Sequence, residues 1–389
     1  MRPRLFMRIA NPLIMAARQT DTPTFTDEDR AYMTRALSLA ERALYTTSPN
    51  PRVGCVIVRD GRVVGEGWHE RPSGPHAEVA ALAQAGGDTE GATVYVTLEP
   101  CNHFGRTPPC ANALVEANVA RVVLAGRDPN PIAQGGAERL RAADIRVEFG
   151  LMENEAHELN IGFFARHARG RPWVRMKIAA SLDGMTALDN GKSQWITHAE
   201  ARRDGHHFRA RSCAVLTGIG TVRDDDPQLT VRDVETARQP LRVLVDSRFE
   251  VPLTAKILAG GNVLVAGAVD DAAKIQELEM AGAEVLVLPN PHGKVELPAL
   301  LGELARRGWN EIHVEAGHKL NGSLMREGLV DEIVVYLAPS LIGDRGRGMF
   351  NLPALTSLDG QVPLTIRDVR MIGPDVRLIA RVRAGSSTP

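Results

Sequence analysis

Six short aliphatic runs dominate the second half of this 389-residue chain. AVLTGIGTV (214–222), LRVLVDS (241–247), NVLVAG (262–267), EVLVLP (284–289), EIHVEAG (311–317) and EIVVYLAP (332–339) read as buried strands, and WVRMKIAASLDG (173–184) precedes them as another. Helical stretches separate several of them. Strands alternating with helices leave few solutions: an α/β domain built on one sheet, of a length that suits a nucleotide-binding fold.

The first half uses the same elements in another order. TDEDRAYMTRALSLAERAL (26–44) has an acidic, Thr-capped start and apolar residues at helical spacing. VGCVIVRDGRVVGEGWH (53–69) reads as two strands around an Asp60-Gly61 turn, a strong hairpin signal. HAEVAALAQAG is a helix ended by glycine, ATVYVTLEP a strand, CANALVEANV a helix, RVVLAG a strand, and GGAERLRAADIRVEFG a helix followed by a strand. The order α-β-β-α-β-α-β-α-β predicts a three-layer domain on a mixed sheet. The expected fold class is therefore α/β, with two domains, each a mixed or mostly parallel sheet in an α/β/α arrangement. Residues 24–150 form the first domain, the basic helical segment 151–171 connects, and 172–389 form the second. Residues 1–23, whose apolar part is broken by Asn11-Pro12 and followed by no A-x-A cleavage site, read as a disordered extension.

Composition removes some function classes. Net charge is −1 and aromatic residues are 4% of the chain, which argues against a nucleic-acid or membrane-surface binder. No run of about eighteen apolar residues occurs, so no membrane span is expected. Four cysteines, Cys55, Cys101, Cys110 and Cys213, make no disulfide framework in a chain this long. They fit a reducing, cytoplasmic setting, where paired cysteines more often bind metal.

Two of those cysteines sit in TLEPCNHFGRTPPC (97–110), and PHAEVAAL (75–82) supplies His76 and Glu78. His76, Cys101 and Cys110 fall at the starts of two predicted helices. One imidazole and two thiolates leave the fourth position of a tetrahedral zinc open, as a catalytic zinc needs. Such a zinc brings the pKa of water on it down to about 7, so that hydroxide can attack an amidine-like ring carbon. Ammonia must then leave, which requires a group to carry protons to the ring nitrogen and the amine. Glu78, two residues from His76, is placed for that without ligating. Taken singly, each residue has a plainer explanation: a solvated histidine, small buried thiols beside prolines, a first-turn carboxylate favoured by the helix dipole. Together, H-x-E followed by P-C and a second Cys is specific. A closed structural zinc would need a fourth ligand, for which Cys55 and His103 are the local candidates, but Glu78 would then have no purpose.

These residues resemble the zinc-dependent cytidine deaminase superfamily. Most of that superfamily has two to four residues between the cysteines; here there are eight, NHFGRTPP. That insert, with SPNPRVGCVIV, GEGWHERPSGPHAEVAAL and RDPNP, resembles the deaminase half of the bifunctional riboflavin-biosynthesis deaminase–reductase (RibD) family. One departure follows DPNP, where IAQGGAERL replaces the family's V-x-G-x-G and is one residue shorter. The resemblance implies one zinc ion and a diaminopyrimidinone substrate carrying a ribosylamino 5′-phosphate, whose 2-amino group becomes a carbonyl. The insert then helps bind substrate: Arg106 could contact phosphate, His103 and Thr107 could offer hydrogen bonds, and Asn50 could read the pyrimidine or sugar. Each of the four is otherwise a loop or turn residue facing water.

In the second half, EIHVEAGHKLNGSLMREGLV puts a glycine-rich turn after a strand, with a helix beginning near Leu320. Backbone N–H groups there could cradle a pyrophosphate, although the turn is neither G-x-G-x-x-G nor a P-loop and alone reads as an ordinary βα turn. MKIAASLDGMTALDNGKSQWIT, ARRDGHHFRARSCAVLTGIGTVRDDDPQLTVR and VDS resemble the reductase half of the same family, whose fold is similar to dihydrofolate reductase. That implies NADPH as hydride donor and reduction of the ribosyl group at C1′ to a ribityl chain. The family's NADP contacts carry over to Ala179, Trp195, Thr221, Asp225, Ser247 and the loop of Gly317, His318, Lys319, Leu320, Asn321, Gly322 and Ser323. Its substrate contacts carry over to Ser193, Arg209, Leu229, Arg232 and Glu315, of which the two arginines could bind a phosphate. Asp183, before Gly184, is either a catalytic carboxylate or a turn residue. His206 and His207 lie on a predicted helix and are expected to be solvated. RDDDP (223–227) is expected to cap and position its neighbours, not to bind metal.

The expected partners are a small phosphorylated pyrimidine and, from the resemblance, further copies of the chain. Two other classes remain open: a nucleobase or tRNA deaminase fused to an unrelated nucleotide-binding module, which calls for a basic channel and short cysteine spacing, and a zinc-stabilised binding scaffold.

Overall fold

The computed structural model describes residues 24–105 and 108–383. The expected N-terminal extension lies outside the described residues, as do Arg106 and Thr107. The first half follows the predicted order: α1 (Asp27–Glu41), β1 (Gly54–Arg59), β2 (Arg62–Trp68), α2 (Ala77–Ala85), β3 (Thr93–Val96), α3 (Cys110–Glu116), β4 (Arg121–Leu124), α4 (Gly136–Arg141) and β5 (Arg146–Phe149). The sheet runs β2-β1-β3-β4-β5; β1 is antiparallel to both neighbours, while β3, β4 and β5 are parallel. Strand alternation divides the core. Ile57, Val94, Val96 and Val122 pack against α2, α3 and α4, whereas Val56, Val58, Tyr95 and Val123 pack against α1. Thr26 caps α1 in a reciprocal capping box with Asp29, and Asp29 reaches on to Tyr95 and Arg121, tying the helix to the sheet.

The segment predicted as one helical stretch is two helices, α5 (Glu153–Leu159) and α6 (Ile161–Arg169). At the break the side chain of Asn160 turns to the backbone of Arg52, two residues before β1. Its Oδ1 accepts from the Arg52 amide and its Nδ2 donates to the Arg52 carbonyl, both at 2.8 Å.

The second half contains β6 (Trp173–Ser181), β7 (Met185–Ala187), α7 (Ala199–Arg211), β8 (Ala214–Gly218), α8 (Ile219–Asp225), β9 (Leu241–Val245), β10 (Val263–Gly267), α9 (Ala272–Met280), β11 (Ala283–Val287), α10 (Leu297–Arg306), β12 (Glu311–Val314), α11 (His318–Arg326), β13 (Glu332–Ala338), β14 (Arg347–Gly348), β15 (Leu364–Ile372) and β16 (Asp375–Val382). Nine strands form one sheet in the order β11-β10-β9-β8-β12-β6-β13-β16-β15, parallel from β11 to β13 and antiparallel beyond. Helices α10 and α11 cover one face; α8, α9 and, over β13, α7 cover the other. The run AVLTGIGTV is not one strand: β8 stops at Gly218, the N-cap of α8. Strands β15 and β16 went unpredicted because LTIRDVRMI and DVRLIARV are half-exposed antiparallel strands that mix arginines with aliphatics. Among the described residues no helix is long and apolar enough to cross a membrane, and all four cysteines are free.

A buried charge cluster joins the halves. The Glu311 carboxylate, at the start of β12, accepts from Arg52 at 2.8 Å and from Arg175 at 3.0 Å, and forms an ion pair with Arg211 at 2.9 Å. Arg175 also reaches Glu332 at 2.5 Å, and Arg381 next to it pairs with Glu158 of α5. The three guanidiniums hold Glu311 well below the ordinary carboxylate range in spite of its burial. Removing one member of such a cluster leaves uncompensated buried charge. The Glu311→Gln protein is expected to lose about 3–5 kcal/mol of stability at neutral pH, read by urea unfolding. A carboxylate with a depressed folded pKa stabilises above its unfolded value and loses that contribution as pH falls. Native stability is therefore expected to drop below about pH 4.3, and the Glu311→Gln protein to drop less steeply over the same interval.

Candidate functional site

His76, Cys101 and Cys110 come together. Their ligand atoms all lie within 4.8 Å of one another, with His76 Nδ1 at 3.2 Å from Cys110 Sγ and 3.5 Å from Cys101 Sγ. A tetrahedral zinc with ordinary Zn–N and Zn–S bonds separates N and S by about 3.5 Å, so the donor set fits zinc in type and in spacing. His76 is the N-cap of α2, and Cys110 is the first residue of α3. The amide of Cys110 points at Cys101 Sγ, 3.4 Å away. Cys110, His76 and that amide favour the Cys101 thiolate and pull Cys101 down, while Cys110, as the donor, is pushed up. No further His, Cys, Asp or Glu joins the three among the described residues. Cys55 is buried in β1 with its thiol pushed up by burial, apart from the cluster.

Close backbone packing brings the three donors together. A Cβ on Gly67 of β2 would stand 2.4 Å from the Ala77 carbonyl, so glycine lets α2 lie directly on the hairpin. A Cβ on Gly136 would stand 1.8 Å from the Pro100 carbonyl. The shortened IAQGGAERL loop thus still closes against the segment carrying Cys101, and Asn102 donates to the Ala133 carbonyl.

Glu78 is buried beside the cluster, in hydrogen-bond contact with Cys110. Burial pushes it up to about 7, with His76 pulling the other way. A carboxyl group so poised can both take and give a proton near neutrality. Asn50 donates to Nε2 of His69 at 3.0 Å, and Nδ1 of His69 donates to the Pro75 carbonyl at 2.9 Å. His69 packs edge-on against His76 with ring centres 5.2 Å apart. Sequence reading missed His69, since no strand or helix period links it to the H-x-E motif. His103 Nδ1 is buried without a partner among the described residues.

In the second half a cleft of about 1540 Å³ opens along the ends of β6, β8, β9 and β12. Ala179, Trp195, Thr221, Asp225, Ser247, Gly317, His318, Lys319, Leu320 and Ser323 line it, as do Ser193, Arg209, Leu229, Arg232 and Glu315. Asn321 and Gly322 do not. Asn321 is buried with Nδ2 on the Met349 carbonyl, and a Cβ on Gly322 would stand 2.2 Å from the Asn351 carbonyl. The helix α11 starts at His318, two residues earlier than predicted, with Gly317 as N-cap. Its first amides open into the cleft and have no partner within the helix.

Arg209 holds both oxygens of Glu315, and Lys177 stands 3.9 Å from Glu315 Oε2. These cations keep Glu315 well below the usual carboxylate range. Lys177, also in the lining, is a residue the sequence reading passed over; burial lowers it against the pull of Glu315. In the acidic run Asp224 pairs with Arg347, Asp225 accepts from Ser193 at 2.7 Å, and Asp226 pairs with Lys256. Asp183 accepts from Ser181, Ile342 and Gly343, so it caps a turn outside the cleft. One expectation is overturned. His206 is buried and lines the cleft, with Nδ1 accepting from the Arg232 amide at 3.1 Å. His207 is the exposed member of the pair and bonds Tyr45 of the first half at 2.8 Å.

Comparisons with known proteins match both halves. Residues 26–126 match the family model of the cytidine and deoxycytidylate deaminase zinc-binding region, and residues 172–378 match the RibD C-terminal domain. The Escherichia coli riboflavin biosynthesis protein RibD is 47% identical over 365 residues, 90% of this chain and 98% of the relative. The Aquifex aeolicus RibD is 42% identical over 352 residues, 90% of this chain and 97% of the relative. A solved structure of Acinetobacter baumannii RibD superposes with a TM-score of 0.86 at 45% identity, covering 92% of this chain and 99% of that one. A Thermotoga maritima diaminohydroxyphosphoribosylaminopyrimidine deaminase/5-amino-6-(5-phosphoribosylamino)uracil reductase superposes at 0.80 with 31% identity, covering 92% of this chain and 99% of that one.

If the three donors hold one zinc, native protein is expected to carry about one equivalent by elemental analysis. Replacing His76 by Ala, or Cys101 or Cys110 by Ser, is then expected to reduce this to a small fraction, with the second-half cleft still binding NADPH.

Proposed function

The chain belongs to the RibD family of bifunctional deaminase–reductases of riboflavin biosynthesis, and we propose that it carries out both reactions with the residues assembled above. The first is hydrolytic deamination of 2,5-diamino-6-ribosylamino-4(3H)-pyrimidinone 5′-phosphate. The second is NADPH-dependent reduction of the ribosyl side chain, giving 5-amino-6-ribitylamino-uracil 5′-phosphate. The observation that carries this reading is the buried Glu78 beside an N,S,S donor set, on one chain with a dinucleotide-sized cleft. We propose residues 24–150 as the deaminase unit, 151–171 as the connection and 172–389 as the reductase unit, acting in the cytoplasm.

In the deaminase site His76, Cys101 and Cys110 would hold zinc, which when bound supplies Lewis-acid activation of the attacking water. Glu78 takes a proton from that water and delivers protons to the ring nitrogen and the departing amine, so that C–NH2 and water become C=O and ammonia. Asn50, fixed by His69, presents its amide toward the pyrimidine or sugar. His103, Arg106 and Thr107 complete the substrate site.

In the reductase site NADPH, when bound, would supply the hydride that reduces the open-chain imine at C1′, with a proton going to the imine nitrogen. The amides of Gly317 to Leu320 would hold its pyrophosphate. Ala179, Trp195, Thr221, Asp225, Ser247 and Ser323 line its path. Arg209 and Arg232 offer charge-assisted bonds to the substrate phosphate, while Ser193, Leu229 and Glu315 shape the adjoining wall.

The chain is further read as a homo-oligomer. Strand β15 is the outer edge of the nine-stranded sheet, and Leu358, Ile366 and Met371 on or before it are 79%, 61% and 61% exposed. An apolar edge of this kind marks an interaction surface. A protein with Ile366→Lys and Met371→Lys is expected to run as a monomer in light scattering while native protein does not.

The decisive experiment follows ammonia release and NADPH oxidation separately. Glu78→Gln is expected to retain zinc, lose deamination by about 10²–10⁴-fold, and still oxidise NADPH when supplied with deaminated substrate. Unchanged ammonia release in that protein would refute the role given to Glu78.

A further inference from the structure

The cleft contains a buried histidine to which the reactions above give no role. Arg202, His206 and Arg209 stand at i, i+4 and i+7 on α7, which places them on one face of the helix, and all three line the cleft. Facing them runs the segment Gln228–Asp233, which has no secondary structure of its own and passes through Leu229 in the left-handed region at φ +55°. Side chains pin this segment in place. Arg209 Nη1 donates to the Thr230 carbonyl at 2.9 Å, and Gln239 bonds both the amide and the carbonyl of Val231. The backbone of Arg232 is held by a bond from its amide to His206 Nδ1, at 3.1 Å.

We propose that His206 is a positioning residue of the reductase site: by accepting the Arg232 amide it fixes where the Arg232 guanidinium stands in the cleft. The inference rests on the reading of Arg232 as a contact of the substrate phosphate. An acceptor at Nδ1 requires the neutral ring with its proton on Nε2, and the Asp233 carboxylate stands 3.5 Å from Nε2. Burial, with Arg209 and Arg232 close by, lowers His206 to about 4, so the ring keeps its Nδ1 lone pair at neutral pH. From that anchor the Arg232 side chain is braced along its own segment, Nη1 donating to Gln228 Oε1 at 3.2 Å and to Thr230 Oγ1 at 3.0 Å. Loss of the acceptor leaves a part-buried amide unpaired and frees the stretch of chain that presents the cation.

The side chains that can replace histidine distinguish this role from simple packing. Asparagine carries Oδ1 at the branch point where histidine carries Nδ1, whereas glutamine places its acceptor near Nε2. In the full-length zinc-loaded protein, assayed with deaminated pyrimidine phosphate and NADPH, His206→Leu is expected to raise the pyrimidine KM about tenfold. kcat and the NADPH Kd are expected to change less than about twofold. His206→Asn should restore KM to within about threefold of native and His206→Gln should not. With the phosphate-free analogue of the substrate the differences among these proteins should vanish. An unchanged KM in His206→Leu, equal KM values for the Asn and Gln proteins, or an equal penalty on the phosphate-free analogue would each overturn the proposal. If His206→Leu does not fold, the Asn and Gln pair carries the comparison. Arg232→Ala is the control: if it leaves the KM of the phosphorylated substrate unchanged, the substrate-site reading fails, and His206 positioning fails with it.

Discussion

The carboxylate of Glu311 receives three guanidiniums in a place that water does not reach. Stripping water from four charges is costly, and the attraction among them offsets that only when each N–H finds an acceptor. Arg52 satisfies this condition with further bonds to the carbonyls of Leu44, Leu159 and Arg211. Arg211 is the least well compensated: burial and the neighbouring arginines lower it to about 10. The cluster fixes three things at once. It holds the chain that carries Asn50 up to His69, it holds the last turn of the helix that carries His206 and Arg209, and it joins the two halves. Both sites are therefore referred to one rigid point of charge.

Two glutamates show how environment assigns roles. Glu78 sits among thiols with one imidazole nearby, and burial raises it to about 7, so it exchanges protons readily. Glu315 is largely enclosed too, but Arg209 clasps both its oxygens and Lys177 stands close, so it stays a fixed anion. Surroundings thus push two like carboxyl groups in opposite directions.

Much of this was legible in the chain because the signals were local. The first half keeps its predicted element order throughout, since caps, an Asp-Gly turn and aliphatic runs all agree. His76, Glu78, Cys101 and Cys110 could be picked out because metal donors cluster at the ends of elements. What failed was whatever depended on distant partners. Asn160, at the break between two helices, bonds Arg52, 108 residues away. Helix α7 has charged residues on most sides, so nothing in its pattern told that His206 turns inward and His207 outward. Asn321 and Gly322 matched a cofactor motif, yet they pack against the chain near Asn351. Strands β15 and β16 mix arginines with aliphatics and gave no clear period.

By itself the sequence determined the α/β architecture, the order of strands and helices, the zinc-type donor set with its adjacent carboxylate, and the resemblance that named two reactions. Only the tertiary structure decided which arginines meet Glu311, that His69 backs His76, that Lys177 lies against Glu315 and that His206 serves Arg232. The reason is physical. Caps, turns and periodicity act over a few residues, whereas burial and charge pairing depend on groups as far apart as Arg52 and Glu311, which the chain brings together only on folding.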